Sequence, residues 1–85
     1  MGYKVRVTFA EGITADDMDN LVIEAGGDPN VPPPGSLSHN VSMANGQLVY
    51  TDEWESKEAF EGFIMNMGFP MMDQAGIPRP TIEEL

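Results

Sequence analysis

The chain holds one histidine, His39, and the residues around it assign that histidine a partner. Asn45-Gly46 is the pair preferred by a type I′ β-turn, because both central residues of that turn need positive φ. A chain that folds back there opposes residues whose numbers sum to 91: Met43 with Leu48, Val41 with Tyr50, His39 with Asp52, and Leu37 with Trp54. Period-two alternation sets these side chains on one face and the more polar Ser38, Asn40, Ser42, Val49, Thr51 and Glu53 on the other. A carboxylate beside an imidazole orients the ring and raises its pKa toward neutrality, so that it can take or give a proton. In this reading His39 and Asp52 are catalytic, and Tyr50, Trp54, Leu37 and Val41 line a small cavity that binds the substrate. A second reading stays open, in which the pair is a cross-strand polar contact worth ~0.2–1 kcal/mol beside ordinary core aromatics.

Other chemistries are weaker. A serine triad needs a nucleophile beside the base, and alternation points Ser38 and Ser42 away from His39. One histidine with carboxylates is a poor ligand set for zinc, and a chain without cysteine has no thiolate ligand, thiolate nucleophile or disulfide. The expected site works without metal or other cofactor.

The pair has to be carried by a small scaffold. With 85 residues the chain closes one hydrophobic core, so residues 1–85 are expected to form a single domain. Tyr3, Val5, Val7 and Phe9 alternate with Lys4, Arg6 and Thr8 as a first strand with one buried face. Thr14 with Asp17 forms an Asp variant of the capping box, and Met18, Leu21, Val22 and Ala25 give a single apolar stripe that ends at Gly26-Gly27. The stretch GGDPNVPPPGS reads as a stiff extended connector. After the hairpin, Ser56 caps a second helix whose stripe is Phe60, Phe63, Ile64, Met67 and Met71. Met65, Phe69 and Met72 form a second apolar line that needs its own cover. Pro70 predicts a kink around residues 68–70, Gly76 a helix end, and TIEEL a last strand. The order βαββαβ predicts an α+β, ferredoxin-like fold: a four-stranded antiparallel sheet with two helices on one face and the other face bare.

Fourteen Asp and Glu against four Lys and Arg give a formal charge of −10, which repels phosphate backbones and anionic lipid surfaces. Neither nucleic acid nor membrane is an expected partner. No apolar run approaches the ~20 residues of a membrane span, and no signal pattern opens the chain, so the cytoplasm is the expected location.

Glu53-Trp54-Glu55-Ser56 followed by Glu58-Ala59-Phe60 resembles the strand-to-helix junction of the dimeric α/β-barrel superfamily, and is most similar to small antibiotic-biosynthesis-monooxygenase-like proteins. GSLSHNV, MGFPMMDQAGIP and the short last strand extend the likeness over about Gly35 to Pro80. The resemblance implies a homodimer whose two sheets face each other across a barrel with the helices outside. It implies a cavity that works without metal or flavin on polycyclic phenols or polyketides, as a monooxygenase or a cyclase. Trp54 matches a tryptophan of the cavity wall in that family, which favours the rich face of the hairpin as the lining. Phe63 stands where many of those relatives carry a histidine. With Tyr3, Val5, Val7 and Phe9 assigned to the helix side, Lys4 and Arg6 are expected to share the face of Asp52, where Arg6 would help bind an anionic or phenolate ligand. The function expected is binding, with or without conversion, of a small aromatic or polyketide-like molecule; the alternative is a non-catalytic binding or accessory module of the same fold.

Overall fold

The structure, a computed structural model, describes residues 2–85. Strand β1 (Tyr3–Thr8) is followed by α1 (Ala15–Glu24), the hairpin β2 (Ser36–Ala44) and β3 (Gln47–Trp54), α2 (Lys57–Phe63), a π-helical segment Ile64–Gly68, α3 (Phe69–Ala75) and β4 (Thr81–Glu84). The strands form one sheet in the order β2-β3-β1-β4, with every neighbouring pair antiparallel. This is the ferredoxin-like α+β arrangement that the element order predicts. Val5, Val7 and Phe9 from β1 and its exit, Leu21 from α1, Leu48 and Trp54 from β3, and Phe60, Ile64 and Met72 from the second helical run make the core.

Local chemistry explains where the helices begin and end. The Thr14 hydroxyl accepts the Asp17 N–H at 3.1 Å while the Asp17 carboxylate accepts the Thr14 N–H at 2.9 Å, which is the expected reciprocal box. At the other end Gly26 takes φ 87°, and Gly27 and Gly26 donate to the carbonyls of Val22 and Ile23, closing α1 in a Schellman motif. Gly76 at φ 75°, with Ile77 donating to Met72, ends α3 in the same way.

Between α2 and α3 the predicted kink takes the form of a π turn, in which the Phe69 N–H reaches back to the Ile64 carbonyl. Pro70 lacks an N–H and its ring would press on the carbonyl of residue 66 in an α-helix, and a wider turn relieves that clash. The π turn also corrects the apolar pattern. At about 3.6 residues per turn a row of every fourth residue drifts round an α-helix, and the wide turn resets it. The buried row is consequently Phe60, Ile64, Gly68 and Met72, so that Met72, expected on a second line, belongs to the core. Of that second line, Phe69 lies under the Arg79 guanidinium at 4.6 Å and Met65 faces solvent.

Asn45 at φ 54° and Gly46 at φ 78° form the expected turn, and the sum of 91 holds from Ala44–Gln47 through His39–Asp52 to Ser38–Glu53. It then fails. Ser36, not Leu37, pairs with Trp54, because a β-bulge between Ser36 and Ser38 leaves Leu37 as an extra residue. A second correction concerns the faces. Val5 pairs with Asp52, Val7 with Tyr50 and Tyr3 with Trp54, so the rich face of the hairpin and the apolar face of β1 are the same face, beneath the helices. Lys4 and Arg6 project from the opposite side, where Arg6 pairs with Thr51 and Glu83. A sheet covered on one side has one apolar face, and burial brings the apolar rows of all its strands to it.

Candidate functional site

Hairpin register makes the site. Because His39 and Asp52 are directly opposed, their side chains meet on the helix side of the sheet, with His39 Nδ1 2.6 Å from Asp52 Oδ1. Asp52 is largely enclosed, with its side chain 11 % exposed, whereas the His39 ring is 45 % exposed and presents its other nitrogen away from the carboxylate. The Tyr50 ring, diagonal to His39 across the strands, meets the imidazole edge-on at 4.5 Å, and Phe9 meets Tyr50 edge-on at 5.0 Å. Nδ1 is thus held by a charge-assisted hydrogen bond, and the plane of the ring by Tyr50.

Electrostatics separates the two titratable partners of Asp52. The hydrogen bond to Asp52 pushes the His39 imidazole above its ordinary pKa, partial burial opposes this, and the fields of Asp52 and Asp19 add to the rise. Tyr50 is pushed up to about 12, first by burial and then by Asp19 and Asp52, so its phenol stays protonated at neutral pH. The histidine is the one group here that can exchange a proton near neutrality.

The pair opens into a cleft of about 740 Å³ between the sheet and the helices. Its floor is β1 and the hairpin, with Val7, Tyr50 and Trp54; α1 contributes Met18 and Val22; and the second helical run contributes Phe63 and Met67. The proline-rich segment from Asp28 to Pro34 runs along the cleft as a further wall, a role that its reading as a connector did not include. Gly35, at φ 90°, carries the chain from that wall into β2 so close to the second helical run that a Cβ there would lie 2.8 Å from the Ala59 methyl. Trp54, 2 % exposed, packs against Phe60 and Phe63, and its buried indole N–H has no hydrogen-bond partner among the described residues.

Of the residues singled out in the sequence, His39, Asp52, Tyr50, Trp54 and Leu37 all line this cleft. Val41 sits on the same face beyond the helices' cover and is half-exposed. Arg6 is on the other side of the sheet, 3.8 Å from Glu83. The residue that sequence reasoning missed is Asp19, on α1 at the edge of the cleft, whose charge reaches both His39 and Tyr50. The signal was available: Asp19 lies three residues before Val22, so it flanks the apolar stripe that packs on the sheet. Among the described residues no group of three or more His, Asp or Glu side chains is placed to hold a metal ion. No helix among them is long and apolar enough to cross a membrane.

Compared with known protein families, characterised proteins and solved structures, the chain matches none.

Proposed function

We propose that the chain binds a small aromatic or polyketide-like molecule in the cleft beneath its helices and moves a proton on it through His39, with no cofactor. The observation that carries this reading is a histidine fixed at 2.6 Å by a largely buried aspartate and facing a cleft of about 740 Å³. That volume falls within the range of small-molecule sites, ~300–1,000 Å³, and the walls are mostly aromatic, aliphatic and methionine side chains with few polar groups. Asp52 keeps the ring oriented through Nδ1, which leaves Nε2 to take a proton from an acidic C–H or O–H of the ligand, or to return one to a ligand oxygen. Tyr50 and Trp54 shape the wall, and the Trp54 N–H supplies a donor to a ligand acceptor.

Part of the same proposal is a cytoplasmic homodimer. The outer face of the sheet carries both signs of charge, Lys4 and Arg6 with Glu53 and Glu83, and such a face can pair with its own two-fold image. Edge strand β2 exposes Leu37, Val41 and Met43, between 51 % and 62 % each, as apolar surface for a second copy to cover. Light scattering across a hundredfold dilution should return twice the chain mass.

Benzoylacetone, an aromatic 1,3-diketone, tests the site. Its addition should shift the NMR signals of His39, Tyr50 and Trp54 together, and wild-type protein should exchange its acidic methylene protons with solvent deuterium faster than His39→Ala does. Equal exchange with intact binding favours the non-catalytic binding module, and no shift at all removes the cleft as a site.

A further inference from the structure

The cleft has a charge as well as a shape. Its walls carry Asp19, Asp28 and Asp52 and, among the described residues, no lysine or arginine. All four such residues of the sequence lie elsewhere. Lys4 and Arg6 lie on the outer face of the sheet, Arg6 beside Glu83; Lys57 sits 3.7 Å from Glu61 on α2; and Arg79 pairs with Asp73 at 2.7 Å. Among the described residues the one cleft side chain that can carry positive charge is His39, and its imidazolium form is neutralised by Asp52 at 2.6 Å. Asp28 accepts the N–H of Asn30 within its own loop, which orders the carboxylate without cancelling its charge. Asp19 makes no hydrogen bond or ion pair among the described residues, yet its field is felt by both His39 and Tyr50 inside the cleft. The potential that a ligand meets is therefore negative, and the overall charge of −10 deepens it.

An anionic or phenolate ligand, the expectation that goes with Arg6 on this face, would face two uncompensated carboxylates and no lysine or arginine. A cation meets the opposite situation. Its hydrophobic part fits walls built from Trp54, Phe63, Met18 and Met67, and a charged group near Asp19 shares the cleft with the Tyr50 ring, which the field of Asp19 reaches and whose π system attracts cations in its own right. We infer that the ligand is a hydrophobic amine, protonated at neutral pH, with its aromatic or alkyl body under the helices and its ammonium toward Asp19. This inference rests on the cleft being the ligand site, and it names the class that the site selects.

Three probes of one shape separate the two claims: 1-naphthylmethylamine, 1-naphthalenemethanol and 1-naphthoate, each titrated at low ionic strength with the Trp54 indole N–H as the NMR reporter. The amine should bind about fivefold or more tightly than the alcohol, the carboxylate should bind weakest, and the amine's advantage should shrink as salt screens it. Asp19→Asn, at an exposed helical position outside the cap, should lower amine affinity about two- to fivefold while leaving the alcohol unchanged. If the alcohol or the carboxylate equals the amine, or Asp19→Asn leaves the preference intact, the charge inference falls and the cleft remains. If none of the three moves Trp54, the cleft reading falls with it.

Discussion

The two faces of the sheet are built from the same four strands and differ in almost every other respect. The helix side gathers Val5, Val7, Leu48 and Trp54, together with Asp52 and His39 bonded to each other and, at the exposed β4 edge, Glu84. The outer side gathers Lys4, Arg6, Thr51, Asn40, Glu53 and Glu83, with Val49 its large apolar member, and its Arg6–Glu83 ion pair is loose and exposed. Polar groups thus occur on both faces, and what separates them is solvent. Water screens the outer charges so that each contributes little, whereas the largely enclosed Asp52 depends on His39 for compensation. The same chemical pair would be incidental on one side, and it governs proton affinity on the other.

Substitutions test that contrast directly. The largest effect is expected from Trp54→Ala, which removes a 2 %-exposed indole from the core and should cost about 3–5 kcal/mol in urea unfolding, against roughly 0.5 kcal/mol or less for Thr51→Ala on the outer face. Comparable costs would erase the distinction between the faces. Next comes Asp52→Asn. It removes a charge-assisted hydrogen bond of ~1.5–3 kcal/mol, discounted because His39 is 45 % exposed, so that about 1–2 kcal/mol of stability should be lost. The His39 pKa, followed by NMR, should fall at the same time. An unchanged pKa would mean that the short contact is not the cause of the rise.

Acidity provides a third measurement. The pKa of His39 is raised in the folded state, so the pair's contribution is complete below the unfolded histidine value of about 6.5 and is lost as pH rises through the higher folded value. Wild-type stability should decline over that window relative to Asp52→Asn, in which the slope should be smaller, with only burial and the field of Asp19 left to act on His39. The smallest effect belongs to Arg6→Gln. Its exposed partner Glu83 is 3.8 Å away, and a loss of about 0.5 kcal/mol or less is expected, with no movement of the His39 signal. A shifted His39 would show that the two faces communicate through the sheet.

Much of this was legible in the residues. Asn45-Gly46 dictates the hairpin and, by counting outward, the meeting of His39 with Asp52, because turn geometry and alternation are local rules. Thr14, Ser56, Gly26 and Gly76 mark the helix ends for the same reason. Two things were not legible by counting. The phase of β1 against β3 is set by tertiary burial, which placed Arg6 and Asp52 on opposite sides, and the π turn before Pro70 shifted the core row to Met72. The cleft itself needed three dimensions, since Asp19, the proline segment and His39 are brought together only by the packing of α1 on the sheet.

The bulge at Leu37 also determines where this chain can change length. Between the Asn45-Gly46 turn and His39 the count is strict: one added or deleted residue would move the imidazole to the far side of the sheet and strand Asp52 without its partner. Beyond His39 the strand already accommodates an extra residue, so a mismatch arising in the proline-rich segment is absorbed at Leu37 before it reaches the histidine. The wall of the cleft is therefore open to insertion and deletion, and with it the size of molecule admitted, while the proton-handling pair stays in register. Variation in what is bound is uncoupled from the group that acts on it.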